Sequence, residues 1–149
     1  MARALKSLDL NVNWIGGSKQ PPKSTDDEDI LGWARRTNQV IVTTNHDMVV
    51  LCAEAGETVI WLDPRDKDIS LEALTVMCFA QVADWERALE SASRPVCIVA
   101  RKTTYEAMDL GRAKRIAIER GKRRRTEVRR RAAAASATET LLDAGAPTT

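Results

Sequence analysis

The 149-residue chain has the length of one domain, and with 44% hydrophobic and 30% charged residues it is not a wholly disordered chain. No apolar run approaches the roughly 18–20 residues that a membrane-spanning helix needs, and the amino terminus has no signal-peptide core. The cysteines are odd in number and far apart, which predicts buried, reduced thiols. They are Cys52, Cys78 and Cys97. The sequence therefore predicts a cytoplasmic protein with no membrane contact.

The formal net charge of +2 hides an uneven distribution of charge. Residues 1–111 carry a net charge of −5, residues 112–131 carry +9, and residues 132–149 carry −2. A concentrated basic segment attached to an acidic body indicates a polyanionic or acidic partner. We therefore divide the chain into an α/β domain over residues 1–111 and a basic carboxy-terminal arm with a frayed tail over residues 112–149.

Short apolar strands alternate with amphipathic helices along the body. Residues 10–14 alternate as in a half-buried strand, and Thr25 forms a capping-box pattern with Glu28 at the start of a helix. Three further strands are almost continuously apolar, and they cover residues 40–43, 59–62 and 96–99. The tryptophans fall on apolar faces and are expected in the core or at an interface, at positions 14, 33, 61 and 85.

The helices between these strands have clear ends. Asn45 caps one helix that Gly56 terminates, and a long amphipathic helix follows Ser70. Apolar residues from Met108 onward are compatible with a further helix that leads into the arm. Buried strands alternating with helices predict a three-layer α/β/α fold with a mostly parallel sheet. The arm itself is expected to be helical or disordered.

Acidic side chains occur beside one predicted strand end, where ligands of open α/β sheets bind. Residues 26–29 open the helix before strand 40–43, and Asp47 follows that strand. Carboxylates gathered there would suit Mg²⁺ or Mn²⁺, which favour oxygen ligands. The alternative is that both acids only interact with helix dipoles. His46 is expected to be an exposed first-turn residue, and the acids at positions 63, 66 and 68 to be solvated or to enter the site.

Two segments together resemble the PIN-like fold. They read Asp-Glu-Asp-Ile-Leu-Gly-Trp-Ala-Arg-Arg over residues 27–36 and Val-Ile-Val-Thr-Thr-Asn-His-Asp-Met over residues 40–48. They are similar to the small PIN-like proteins of bacterial toxin–antitoxin loci and to VapC-type toxins, in which a strand ends in Thr-x-Asp-x-Asp-Phe. The resemblance covers roughly residues 2–100. It implies a Mg²⁺- or Mn²⁺-dependent ribonuclease that is the toxin of such a pair.

The resemblance implies a catalytic set of Asp27, Asn45 and Asp47, with Asp27 and Asp47 as ligands of Mg²⁺ (or Mn²⁺). Asn45 would orient a water or a phosphate oxygen, and Thr43 would shape the strand end. Three features differ from the family. Its first strand and the acid on it have no counterpart here, Asn45 stands where the family has Asp, and Met48 replaces the aromatic residue. Either the true start lies upstream of Met1, or this copy is weakened or inactive, so whether the protein is an enzyme stays open.

The basic arm is the predicted RNA contact, because lysine and arginine bind phosphates without reading sequence. The residues concerned are Arg112, Lys114, Arg115, Arg120, Lys122, Arg123, Arg124 and Arg125. An antitoxin protein as the arm's partner, or no specific role, are the alternatives, and a homodimer is left open. The competing function is a catalytically degenerate PIN-like module that binds nucleic acid or a protein partner. A small regulatory domain of receiver type is a third, weaker hypothesis.

Overall fold

The computed structural model describes residues 13, 15–16, 20–65 and 69–143, and it describes side chains as far as Ala133. The predicted strand over residues 10–14 and Trp14 therefore lie almost entirely outside the described residues. Those residues form four helices: α1 (Asp27–Arg36), α2 (His46–Glu54), α3 (Leu71–Ser91) and α4 (Leu110–Asp143). They form four strands: β1 (Ile41–Thr43), β2 (Val59–Leu62), β3 (Val96–Ala100) and β4 (Tyr105–Asp109).

The four strands form a single sheet in the order β1-β2-β3-β4. The first three are parallel, and their register pairs Val42 with Ile60 and Ile60 with Ile98. Strand β4 pairs antiparallel with β3, so that Ala107 lies opposite Ile98. The α/β class and the mostly parallel sheet are thereby confirmed.

The two faces of the sheet carry different helices. Val59 and Trp61 of β2 face one way and pack in a cluster with residues of α1, α2 and α4. Ile60 and Leu62 face the other way and pack with α3. The crossovers β1-α2-β2 and β2-α3-β3 step in the same direction across the sheet but lie on opposite faces. They therefore have opposite hands, although right-handed crossovers predominate in proteins.

The predicted helix ends are confirmed at α2 and α3. Asn45 Oδ1 accepts the backbone N–H of Asp47 at 3.0 Å, and Ser70 Oγ accepts that of Ala73 at 3.2 Å. Gly56 follows α2 with a φ of +70°, a conformation that glycine adopts without a steric cost. The prediction of a capping box at Thr25 is wrong. The N-cap of α1 is Asp26, whose side chain makes no capping hydrogen bond.

Strand β4 replaces the beginning of the helix that we expected from Met108. In β4 only Met108 is buried, so the segment offers a single inward position and little of the alternation that predicts a strand. The chain turns into α4 directly after Asp109, whose Oδ1 accepts the backbone N–H of Arg112 at 2.9 Å. This hydrogen bond lowers the pKa of the Asp109 carboxyl.

The three cysteines are buried and reduced, as predicted. Burial raises the pKa of the Cys52 and Cys78 thiols to about 11 and that of Cys97 to about 12. A thiol in this range forms little of the reactive thiolate at neutral pH. No helix within the described ranges is both long and apolar enough to cross a bilayer.

Candidate functional site

The candidate site lies at the carboxyl ends of β1 and β2. The connection from β1 continues into α2 on one face of the sheet, while the connection from β2 leads to α3 on the other. In open α/β sheets, ligands bind in the crevice outside the carboxyl ends of parallel strands. The carboxyl ends of β1 and β2 are therefore the place where a ligand site is expected in this sheet.

The structure brings the three predicted catalytic residues together at the end of β1. Asn45 Nδ2 donates a hydrogen bond to Asp27 Oδ2 at 3.3 Å, and Asn45 Oδ1 accepts the backbone N–H of Asp47. Thr43 Oγ1 accepts the backbone N–H of Asn45 at 3.0 Å, which holds the turn after the strand. Both ends of the Asn45 amide are therefore engaged, and this side chain links the start of α2 to the start of α1.

Negative charge accumulates around Asp27. Burial raises the pKa of its carboxyl above the ordinary value. The negative charges of Glu28, Asp47 and Asp26 raise the pKa of the same group further. The effect of Asp47 shows that the two predicted metal ligands lie within electrostatic range of each other, although 20 positions separate them in the chain.

We tested whether these residues suit a divalent ion. Among the described residues no group of three or more His, Cys, Asp or Glu side chains is arranged to hold a metal. Asp27 and Asp47 supply two carboxylates, and Mg²⁺ is commonly bound by one or two carboxylates together with waters and substrate phosphates. Two carboxylates would hold Mg²⁺ at most weakly, with its remaining positions filled from outside the protein.

Asp63, at the end of β2, has a structural environment. Its side chain is 12% exposed and accepts hydrogen bonds or ion pairs from Arg101 at 3.2 Å and from Arg120 at 2.5 Å. A carboxylate between two guanidinium groups is already neutralised, so it is a poor candidate for a metal ligand. Asp66 and Asp68 lie outside the described residues.

His46 and Arg120 both contact Trp61. The imidazole meets the indole edge to face at a centroid distance of 5.4 Å, and the Arg120 guanidinium lies 5.0 Å from the ring centroid. Burial lowers the pKa of His46, and the positive charges of Arg120 and Arg124 lower it further. His46 is partly buried rather than fully exposed, so the expectation of a freely exposed first-turn residue is wrong.

Helix α4 runs antiparallel to α2. Lys114 Nζ lies 2.9 Å from Glu54 Oε1 at the last residue of α2, whereas Arg120 and Arg124 are near His46 at its first residue. Residues 110–121, the anchored segment, therefore lie against the body, where Ala113 and Ala117 are fully buried. Residues 122–131, the overhanging segment, continue past the start of α2 and so past the sheet edge that carries the acids.

The eight predicted RNA-contacting residues fall into two groups. Four have acidic partners: Arg112 with Glu106, Lys114 with Glu54, Arg120 with Asp63, and Arg123 with Glu119. The other four have no side-chain hydrogen bond or ion pair within the described residues, and these are Arg115, Lys122, Arg124 and Arg125. Arg129 and Arg130, which we did not predict, share this property. The unpaired charge is thus concentrated in the overhanging segment.

The ion pairs and the ring contact that hold α4 against the sheet were not predicted from the sequence. Arg101 follows β3, and neither its pairing with Asp63 nor the stacking of Arg120 on Trp61 has a local sequence signal. The partners are 38 and 59 positions apart in the chain. Only the tertiary fold brings them together.

The chain was compared with models of protein families, with curated proteins and with solved structures, and none of the three comparisons found a match.

Proposed function

We propose that the protein is a Mg²⁺-dependent endoribonuclease of PIN-like, three-layer architecture that acts on single-stranded RNA. The observation that supports this proposal is the Asp27–Asn45–Asp47 array, held at a crevice between strand ends and overhung by unpaired arginines. By the same resemblance we propose that it is the toxin of a toxin–antitoxin pair, restrained by an antitoxin protein.

Each residue of the array has a distinct part in this proposal. Asp27 and Asp47 hold the ion, and Asn45 is a positioning residue that orients the Asp27 carboxylate through the hydrogen bond from its Nδ2. Bound Mg²⁺ would activate water and stabilise the negative charge of an in-line phosphodiester displacement. The protein aligns the RNA phosphate over the two carboxylates, and positioning of this kind supplies a large part of the rate in phosphoryl transfer.

The electrostatics of the site favour a cation. The pKa of Asp27 is raised first by burial and then by the negative charges of Glu28, Asp47 and Asp26. A bound cation would relieve this repulsion, so metal and RNA binding are expected to support each other. Metal-free protein would hold RNA mainly through α4.

A second candidate function is a non-catalytic PIN-like module that binds nucleic acid or a protein partner. Two observations favour it: the described residues contain no three-donor metal group, and Asn45 uses both ends of its amide within the protein. In this case α4 binds the partner while the crevice carries no chemistry.

Cleavage of a labelled RNA decides between the two functions. Purified protein is incubated with an unstructured, fluorescently labelled oligonucleotide in Mg²⁺, in Mn²⁺ and in EDTA. The nuclease predicts cleavage in both metals and none in EDTA, with a loss of about 100-fold or more in Asp27→Asn and Asp47→Asn. Asp29→Asn is the matched control, because it removes the same charge from the first turn of α1 and Asp29 is not among the acids that raise the pKa of Asp27.

A separate measurement tests the metal site without activity. Mn²⁺ is expected to raise the thermal unfolding temperature of the wild-type protein, and this stabilisation should vanish in Asp27→Asn but persist in Asp29→Asn. Equal cleavage by wild type and Asp47→Asn would overturn the assignment of Asp47. RNA binding without cleavage or metal stabilisation would establish the non-catalytic module.

A further inference from the structure

The face of α4 that packs on the body continues into the overhanging segment. Ala113, Ala117 and Gly121 are buried at intervals of four residues. One helical turn beyond Gly121, the same face carries Arg124, and the next turn carries Val128, which is 59% exposed. Side chains on this face therefore point toward the body in the anchored segment, and toward the space above the sheet edge in the overhanging segment.

The direction in which α4 leaves the body is fixed by contacts on its last anchored turn. Arg120 pairs with Asp63 and lies over Trp61, which is itself 1% exposed and contacts His46. Asp63 is also paired with Arg101. A partly buried arginine held by a carboxylate and an aromatic ring has little freedom to move. The direction of the overhanging segment is therefore set by side chains at the ends of β2 and β3.

Arg124 is exposed and lies one helical turn beyond Arg120 on the same side of α4. Arg120 lies over the Trp61 ring, which contacts His46, and His46 directly precedes Asp47 in the first turn of α2. The Arg124 side chain is exposed and makes no hydrogen bond or ion pair with the described residues. A guanidinium in this position has its five donors available for an anion.

We propose that the overhanging segment and the carboxyl edge of the sheet are the two walls of one groove for a single RNA strand. In this groove Arg124 holds the phosphate that neighbours the one over Asp27 and Asp47. The proposal rests on the proposed function and deepens it, because it names a positioning residue and the path of the substrate. The strand follows α4 from Arg124 toward Arg131, a distance of about 10 Å along the helix.

The chemistry of the groove favours a phosphodiester strand over an acidic protein. A guanidinium binds phosphate oxygens in a bidentate manner, and a Mg²⁺ site with few protein ligands is completed by substrate phosphates. A carboxylate-rich peptide would also be attracted to α4. Such a peptide would, however, place its carboxylates beside those of Asp27 and Asp47, and it has no phosphate that could join Arg124 to the metal site.

Fluorescence anisotropy with a labelled 12-nucleotide oligouridine in EDTA tests the wall of the groove that α4 forms, without requiring catalysis. Arg124→Ala is expected to weaken binding about five- to tenfold and to lower the slope of log affinity against log salt by about 0.7. Arg124→Lys should recover most of this loss because it keeps the charge. Arg94→Ala is the matched control, since Arg94 is equally exposed but precedes β3 at the opposite edge of the sheet. It should change affinity less than twofold.

The outcomes separate this proposal from the nuclease. Equal weakening by Arg124→Ala and Arg94→Ala would overturn the groove, and so would a 12-residue polyglutamate that binds as tightly as the RNA. If Arg124→Ala alone weakens binding but the wild-type protein never cleaves RNA in Mg²⁺, the groove stands and the nuclease fails. If cleavage occurs, a lower single-turnover rate at saturating RNA in Arg124→Ala, restored by Arg124→Lys, supports Arg124 as a positioning residue.

Discussion

The two segments of α4 are both strongly basic but use their charge differently. In the anchored segment, three of four basic side chains have acidic partners on other elements, and the helix buries a stripe of small residues. In the overhanging segment, Arg123 and Arg131 pair only with glutamates of α4 itself, and the remaining five have no such partner among the described residues. Basic charge attaches the helix to the body in one segment and is available to a polyanion in the other.

The largest expected effect comes from a charge placed among the buried alanines of the anchored segment. Ala117→Asp buries a carboxylate at a fully buried position where α4 meets α2, and should lower the free energy of unfolding by about 4 kcal/mol. Val128→Asp makes a comparable change on the same helix face in the overhanging segment, and should alter stability by less than about 0.5 kcal/mol. Urea denaturation followed by circular dichroism measures both. Similar losses in the two variants would contradict the division of α4 at Gly121.

The second prediction concerns the unpaired charges. A triple substitution Lys122→Gln, Arg125→Gln and Arg129→Gln should reduce the salt dependence of RNA binding by about 2 in the log–log slope, since each single-strand phosphate contact contributes about 0.7. The matched triple substitution of paired residues, Arg112→Gln, Lys114→Gln and Arg123→Gln, removes the same charge. It should reduce the slope by less than about 1. Equal slopes would show that pairing within the protein does not decide which cations bind RNA.

The third prediction tests the anchor at the end of β2. Asp63→Ala leaves Arg101 and Arg120 without their shared carboxylate in a partly buried position, which should cost about 2 kcal/mol of stability. Glu119→Ala breaks an exposed pair within α4 and should cost less than about 0.5 kcal/mol. Chemical denaturation gives both values. A negligible effect of Asp63→Ala would mean that the exit of α4 is fixed by packing alone.

The smallest expected effect is a change in the pKa of His46. The chain has a single histidine, so the pKa of His46 can be followed in an NMR spectrum without ambiguity. Arg124→Ala removes a cation that disfavours the imidazolium, so the pKa of His46 should rise. Arg125→Ala, one position further along α4, should leave this pKa nearly unchanged. The same rise in both variants would show that Arg124 does not face the body.

Much of the fold could be predicted because its signals are local. The apolar runs at residues 59–62 and 96–99, the cap Asn45 and the helix that follows Ser70 depend on neighbouring residues and are confirmed. Strand β4 was missed because a sheet edge needs only one buried residue, Met108, and the ladder with β3 supplies the rest. The opposite hands of the two crossovers have no local signal.

The candidate site could be predicted only in part. Asp27 and Asp47 were predicted as neighbours from the order of helix and strand, and Asn45 was added by the resemblance. The hydrogen bond between Asn45 and Asp27 joins the two segments. The basic arm was recognised as one run of charge, since composition cannot show which cations are paired. The distinction between Arg120 and Arg124 arises from Asp63 and Trp61, which are nearly 60 positions away.

The packing of α4 on α2 also affects the order in which the protein can fold during synthesis. The apolar cluster around Met48, Cys52 and Trp61 is closed by Ala113 and Ala117, which emerge after three quarters of the chain has been made. Until then α1 and α2 cover this face of the nascent sheet without α4, and the apolar surface that stays exposed promotes aggregation. A chain truncated before residue 117 would therefore lack part of this cluster together with its basic segment. The unpaired arginines follow immediately, so this cluster is completed and the exposed basic surface is made at almost the same point of synthesis.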